Sequence, residues 1–398
     1  MLGVRLPGHR KIRAGQRRLA HGKTAGALQS LQPRRIRPGP VSRIGAVLTA
    51  GLLVGLVASC APPGPHGWAN VAFGQAGPTA TLVYLVGAEA RLFALDPDTG
   101  EVRWQFPREA DRNLTAVYGP PAVGRGLVVV GAYDRKVYAL DAATGDVRWE
   151  FDTGAPVIAG PAVAAGIVVA ANGAGRIVGL DASSGQVRWE QAAERPVWAR
   201  PVVAGTTVLI AGMDHYLRAL DLGTGQVRWQ FRADGALPGA PGVGSGAAFF
   251  GGLDSTVRAV DLETGRERWR LAAGHWVWAA PLVDGNTVYV AALDQNVYAL
   301  DAATGQTRWV YRAPHRVKAD PVIADGVLVL ADDGGQVVGL RPADGQVLWG
   351  GQEHNVGAPV VGTIGAGRGR VFVATQNFWV YSFDSVTGAP KWRIQTRK

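Results

Sequence analysis

Val137-Tyr-Ala-Leu-Asp-Ala-Ala-Thr-Gly-Asp-Val-Arg-Trp149 returns almost letter for letter as Val297-Tyr-Ala-Leu-Asp-Ala-Ala-Thr-Gly-Gln-Thr-Arg-Trp309. In each copy a hydrophobic run meets Asp, then a short polar stretch with Gly, then Trp. The closing tryptophan recurs as Trp104, Trp149, Trp189, Trp229, Trp269, Trp309, Trp349 and Trp392, at spacings of 45, 40, 40, 40, 40, 40 and 43 residues. A fixed period of this length marks an array of like supersecondary units, none of which can bury its faces alone.

The second unit shows what each must be. An apolar stretch, Val117 to Val123, is broken by Pro120 and Pro121. Leu127-Val-Val-Val-Gly-Ala132 follows, then Val137-Tyr-Ala-Leu140 and the alternating Val147-Arg-Trp-Glu-Phe151. The segments between them carry Gly and Asp in turn-forming combinations. Four short strands with tight turns and no helical period predict an antiparallel meander. About 40 to 45 residues per four-stranded unit is the length of a propeller blade. The expected fold is all-β: an eight-bladed β-propeller, whose closure removes long exposed sheet edges.

The recurrent residues have structural explanations. Gly100, Gly145, Gly185, Gly225, Gly265, Gly305, Gly345 and Gly388 suit a positive φ in the turn between third and fourth strands. Asp96, Asp141, Asp181, Asp221, Asp261, Asp301 and Asp384 can accept backbone N–H groups there, while the seventh unit has Arg341 instead. The eight tryptophans offer flat surfaces for docking between neighbouring blades. A residue needed eight times builds the ring rather than doing chemistry.

Ala-Leu-Asp-x-x-Thr-Gly-x-x-x-Trp resembles the repeat of the pyrroloquinoline-quinone-type (PQQ-like, quinoprotein-type) β-propeller family, tryptophan-docking motif included, and the resemblance covers residues 80–398. It implies one of two functions. Quinoprotein alcohol and sugar dehydrogenases use this repeat, and so do non-enzymatic lipoproteins such as BamB, which serves outer-membrane β-barrel assembly with a barrel insertase as partner. Fold alone does not choose between them.

Residues 1–59 read as a leader. Ile44 to Ala58 is an uncharged apolar run of 15 residues after Arg43, shorter than the roughly 20 a spanning helix needs, and is expected to be a signal-peptide core. Val57-Ala-Ser-Cys60 resembles a lipobox, which would make Cys60, the only cysteine, a lipidation site. Residues 1–40 are Arg- and Pro-rich, and a start at Val41 would leave a compact signal peptide. The leader holds 11 Lys and Arg and no acid, so residues 60–398 carry 30 basic and 31 acidic side chains. The formal charge of +10 therefore describes the leader, and no nucleic-acid partner is expected. Residues 60–79 read as a lipidated tether that also supplies the first blade's innermost strand, from Trp68 to Gln75, because only six residues follow Trp392. The expected location is extracytoplasmic and membrane-anchored through lipid: the periplasmic face of an outer membrane in a two-membrane cell, the outer face of the plasma membrane otherwise.

Candidate functional residues lie on the face opposite the Asp-x-x-Thr-Gly turns. A proline opens each innermost strand: Pro121, Pro161, Pro201, Pro241, Pro281, Pro321 and, in the last blade, Pro359. Same-parity residues before it point the same way, which predicts that Tyr118, Trp198, Arg200, Trp278, Lys318 and Asp320 converge on the channel mouth, with Trp276 beside them. Val356 and Ala358 would contribute from the last blade. Two readings stay open: a ligand or protein recognition site, or a plug in which Arg200 or Lys318 pairs with Asp320. For the enzyme alternative, the resemblance implies PQQ with Ca²⁺ and often a vicinal disulfide; a lone Cys60 cannot form one. Asp134, Asp214, Asp254 and Asp294 recur as hairpin residues, and His275, His315 and His354 are spread over successive blades as solvated loop residues, so neither catalytic nor metal residues are assigned. The favoured function is a non-enzymatic lipid-anchored scaffold in the cell envelope; the alternatives are a PQQ-dependent alcohol or sugar dehydrogenase and a ligand-sensing or carbohydrate-binding propeller.

Overall fold

The computed structural model of the chain describes residues 70–76, 80–87, 90–109, 114 and 116–396. The leader, Cys60 and Trp68 lie outside the described residues. Among the described residues the strands form eight four-stranded antiparallel sheets, each from four consecutive strands, and no α-helix occurs. The blades span 71–106, 122–152, 162–192, 202–232, 242–272, 282–312, 322–349 and 365–395. The chain is an eight-bladed β-propeller.

Blade 2 shows how the sequence dictates this. Its strands are β5 (Ala122–Gly124), β6 (Leu127–Gly131), β7 (Lys136–Asp141) and β8 (Val147–Asp152). β6 is a continuous apolar run because neighbouring blades cover both of its faces. β8 lies outermost, so it alternates, burying Trp149 and exposing Arg148 and Glu150. Each docking tryptophan donates its indole N–H to a carbonyl in the next blade's turn, as Trp104 does to Ala142 O at 3.1 Å and Trp149 to Ala182 O at 2.9 Å. The ring completes itself when Trp392 of blade 8 reaches Pro97 O of blade 1 at 3.0 Å. Gly145 is required twice over. Its φ is +75°, and a Cβ there would lie 2.6 Å from the Trp104 indole.

The turn aspartates act as expected from their spacing. Asp141 Oδ1 accepts the N–H groups of Ala143 and Thr144 at 2.9 and 3.0 Å, and its other oxygen takes Arg148 at 2.6 Å. Blade 7 loses both partners together: Arg341 replaces the aspartate, Leu348 replaces the arginine, and Arg341 pairs with Asp344 at 3.0 Å. The facing arginine, with backbone donors, holds Asp96, Asp221 and Asp301 at about 2, and the Thr387 N–H leads the same effect at Asp384. Folding lowers these values from 3.8, so their stabilisation is complete above about pH 4 and is lost as pH falls toward 2. Melting temperature measured from pH 6 to 2 is expected to be flat at first and to fall steeply below pH 4; a flat profile to pH 2 would contradict these assignments.

The N-terminal side supplies the innermost strand of blade 1. β1 (Val71–Gln75) pairs with β2 (Thr81–Val86) and lies beside both β5 and β29 (Gly365–Gly367). At this seam Thr363 Oγ1 accepts the Val71 N–H at 3.2 Å and donates to Val71 O at 2.8 Å, while Thr363 N donates to Asn70 Oδ1 at 3.0 Å. On the opposite face Arg368 and Arg370 both pair with Asp98 at 3.2 Å. No sheet exchanges a strand with another, so the closing interface is held by docking and these polar ties.

Candidate recognition site at the channel mouth

Six innermost strands begin one residue after the prolines at 121, 161, 201, 241, 281 and 321. The last blade departs from this. β29 begins at Gly365, so Thr363, not Ala358, holds the position of Arg200 and Asp320, and Val361, not Val356, that of Trp198 and Trp278. Val356 is instead buried in the core between blades 7 and 8. The cause lies in blade 7, whose fourth strand stops at Trp349; the chain then makes a 3-10 turn at Gln352–His354 before crossing over. Arg368-Gly369, which match Arg125-Gly126, give the correct count back to Thr363.

Tyr118, Trp198, Arg200, Trp278, Lys318 and Asp320 line one cavity of about 80 Å³ on the propeller axis, together with Asn70 and Thr363. Sequence reasoning passed over Asn70 and Thr363. Trp276 is not among the lining residues; it is 44 % exposed, with its ring 5.3 Å from that of His275. Trp198 is 39 % exposed and Arg200 is exposed beside it. Tyr118 packs edge-on against Tyr133 at 5.7 Å. Lys318 pairs with Asp333 at 3.1 Å rather than with Asp320, because its side chain turns toward its own blade's hairpin. Asp320 is half-buried. Its Oδ1 accepts the Ala280 N–H at 2.8 Å, and its backbone bridges to Thr363. Burial pushes its carboxyl above the usual carboxylate range, and the nearby charge of Arg200 and the Ala280 N–H only partly offset this.

The other candidate groups serve the scaffold. Asp134 accepts the Lys136 N–H and the Tyr138 hydroxyl. Asp214, Asp254 and Asp294 tie the hairpins to crossing segments by accepting the N–H groups of Glu194, Gly235 and Gly274 at 3.0–3.1 Å. His275 and His315 are exposed, but His354 is buried, 5.3 Å from the Trp349 ring and 3.1 Å from Gly388 O. Its place in the 3-10 turn folds it inward, which corrects the expectation of a solvated loop residue. Among the described residues no group of three or more His, Cys, Asp or Glu could hold a metal.

The mouth does not fit a quinone with calcium. Pockets for cofactor-sized ligands run to roughly 300–1,000 Å³, well above the 80 Å³ here. Calcium needs roughly six to eight oxygen ligands, whereas the one carboxylate lining this cavity, Asp320, is engaged by a backbone N–H and faces Arg200. What the mouth presents is a rim of partly exposed aromatics and cations over a floor closed by polar contacts.

Comparison with known proteins agrees with this architecture. The sequence model of the outer membrane protein assembly factor BamB matches residues 55–213, 135–248 and 213–359. No curated protein matches the chain. Among solved structures, BamB from Moraxella catarrhalis is 21 % identical, with a TM-score of 0.62 over 80 % of this chain and 91 % of that one. The computationally designed protein Ika8 is 18 % identical, with a TM-score of 0.68 over 81 % and 96 %. Quinohemoprotein alcohol dehydrogenase from Comamonas testosteroni is 15 % identical, with a TM-score of 0.58 over 70 % and 67 %. At these identities the structural likenesses show the fold alone. The matched sequence model spans most of the chain, and on that ground the chain belongs to the family of the outer membrane protein assembly factor BamB.

Proposed function

We propose that this protein is a non-enzymatic scaffold of the cell envelope, held to a membrane by lipid on Cys60, that assists β-barrel assembly by binding an envelope protein of the insertase kind. The membership of the BamB family supports this. The observation that carries it is the channel mouth, where Trp198 and Arg200 stand exposed over a cavity too small for a quinone. Exposed aromatic and Arg side chains around a closed floor are the make-up of a protein hot spot. On this reading neither PQQ nor calcium is a cofactor. On this reading the lipid on Cys60 is the membrane attachment; no helix among the described residues is long and apolar enough to cross a bilayer.

The test is photocrosslinking in the native cell, from a photoreactive residue placed at Tyr133 on the mouth face, with and without Trp198→Ala and Trp278→Ala. A crosslink to a β-barrel insertase is expected, lost in the double variant with the melting temperature nearly unchanged. A melting temperature that collapses with no effect on crosslinking at permissive temperature would make the aromatics a plug and overturn the assignment.

A further inference from the structure

At six blade interfaces the residue two positions after the docking tryptophan is bulky and apolar: Phe106, Phe151, Phe231, Leu271, Tyr311 and Ile394; blade 3 has Gln191 there. Each packs onto the next blade, as Phe106 does on Tyr138 at 5.3 Å and Phe231 on Phe250 at 5.7 Å. Leu271 joins the cluster that holds Tyr298. In blade 7 this residue is Gly351. The strand that should carry it is cut short as well: β28 (Val347–Trp349) has three residues where β24 (Thr307–Arg312) has six. β27 (Val337–Leu340) therefore pairs with β28 only through Gly339 and Leu340.

A side chain bridges the gap. Gln336 Nε2 donates to Val337 O at 3.0 Å and to Gly351 O at 2.8 Å, standing in for strand pairing that is missing. His354 fills part of the vacated space, 6.1 Å from Phe383. What remains is a lateral cavity of about 560 Å³ between Glu353–Gly357 and the outer strands of blade 8. Its walls include Tyr381, Phe383, Asn355 and Arg393. Tyr381 occupies the position of Tyr138 and Tyr298, and its hydroxyl donates to Val356 O at 3.1 Å.

We propose that this cavity accepts an aromatic side chain carried on an extended segment of another protein. The occupant follows from the sibling interfaces, where the same position on the next blade is covered by Phe, Leu or Tyr from an extended strand. The site lies on the side of the ring, apart from the channel mouth, and does not depend on the function proposed there.

The probe is acetyl-Val-Tyr-Arg-Ala-amide, which copies residues 310–313, titrated into the full chain and followed by NMR. Saturable binding is expected, weakened about tenfold or more when the peptide's tyrosine is alanine. Asn355→Trp, exposed and in extended backbone at φ −83° and ψ 116°, should fill the cavity and weaken binding equally. Glu353→Trp serves the same end if Asn355→Trp fails to fold. Trp198→Ala should leave this binding unchanged, which separates it from the channel mouth. Equal affinity for the alanine peptide, an unaffected filled variant, no binding at millimolar peptide, or saturation by maltose in place of peptide would each overturn the proposal.

Discussion

Replacing Trp229 by alanine is expected to destabilise the ring by about 3–5 kcal/mol. The indole is 9 % exposed, donates to Leu262 O at 2.9 Å and lies so close over Gly265 that a Cβ there would stand 2.7 Å away. Ala219 of its own blade and Gly265 of the next hold the indole from two sides, so little can collapse into the void. Trp229→Phe keeps most of the packing and loses the hydrogen bond, at a cost of about 1–3 kcal/mol. Urea denaturation of the two variants reads this ratio. A midpoint unchanged in Trp229→Ala would remove tryptophan docking from the account of what holds the blades together.

The second large effect is at a buried ion pair that is invisible as such in the sequence. Arg218 places two nitrogens on the Asp214 carboxylate at 3.0 and 2.6 Å, with side chains 9 % and 1 % exposed. Burial alone would raise the Asp214 carboxyl, but Arg218 and the N–H groups of Tyr216 and Glu194 outweigh it and leave it lowered. Asp214→Ala strands a buried guanidinium and is expected to cost about 3–5 kcal/mol. Adding Arg218→Leu should recover part of that loss, since the backbone ties to Glu194 and Tyr216 stay broken. A double variant no more stable than Asp214→Ala would show that the pair's charge interaction matters little.

Trp149 and Gly145 were legible because one constraint writes them eight times, and Asp141 because its aspartate recurs in seven of the eight units. Docking needs the same tryptophan and the same positive-φ glycine in every blade, whereas the aspartate can be replaced, since Trp309 still donates to Pro342 O at 3.0 Å in the turn that carries Arg341. Arg218 and Arg258 were not legible. The same position holds Tyr138, Val178, Tyr298 and Tyr381 in other blades, so the repeat tolerates any side chain whose end can be satisfied there. Arg258 finds Asp234 and Asp254, both at 2.7 Å.

The mouth was legible in part for the same reason. Tyr118, Trp198, Arg200, Trp278, Lys318 and Asp320 were placed together by counting back from a proline, a rule that holds while the crossing segments keep one length. It misled in the last blade, where Pro359 is no longer next to its strand and Thr363 takes the position. The cause is the shortened β28 of the preceding blade. Gly350-Gly351 and the 43-residue spacing from Trp349 to Trp392 were the sequence sign that one repeat had changed its backbone plan.

The central claim is that this propeller recognises a partner and does not turn over a substrate. Titrating the full chain with pyrroloquinoline quinone and calcium, followed by absorbance and a dye-linked alcohol and sugar assay, tests it most directly. No stoichiometric quinone binding and no turnover are predicted, because the 80 Å³ mouth and its single engaged carboxylate suit neither ligand. Stoichiometric binding accompanied by dye reduction would contradict the account and make Asp320 and Arg200 part of an active site.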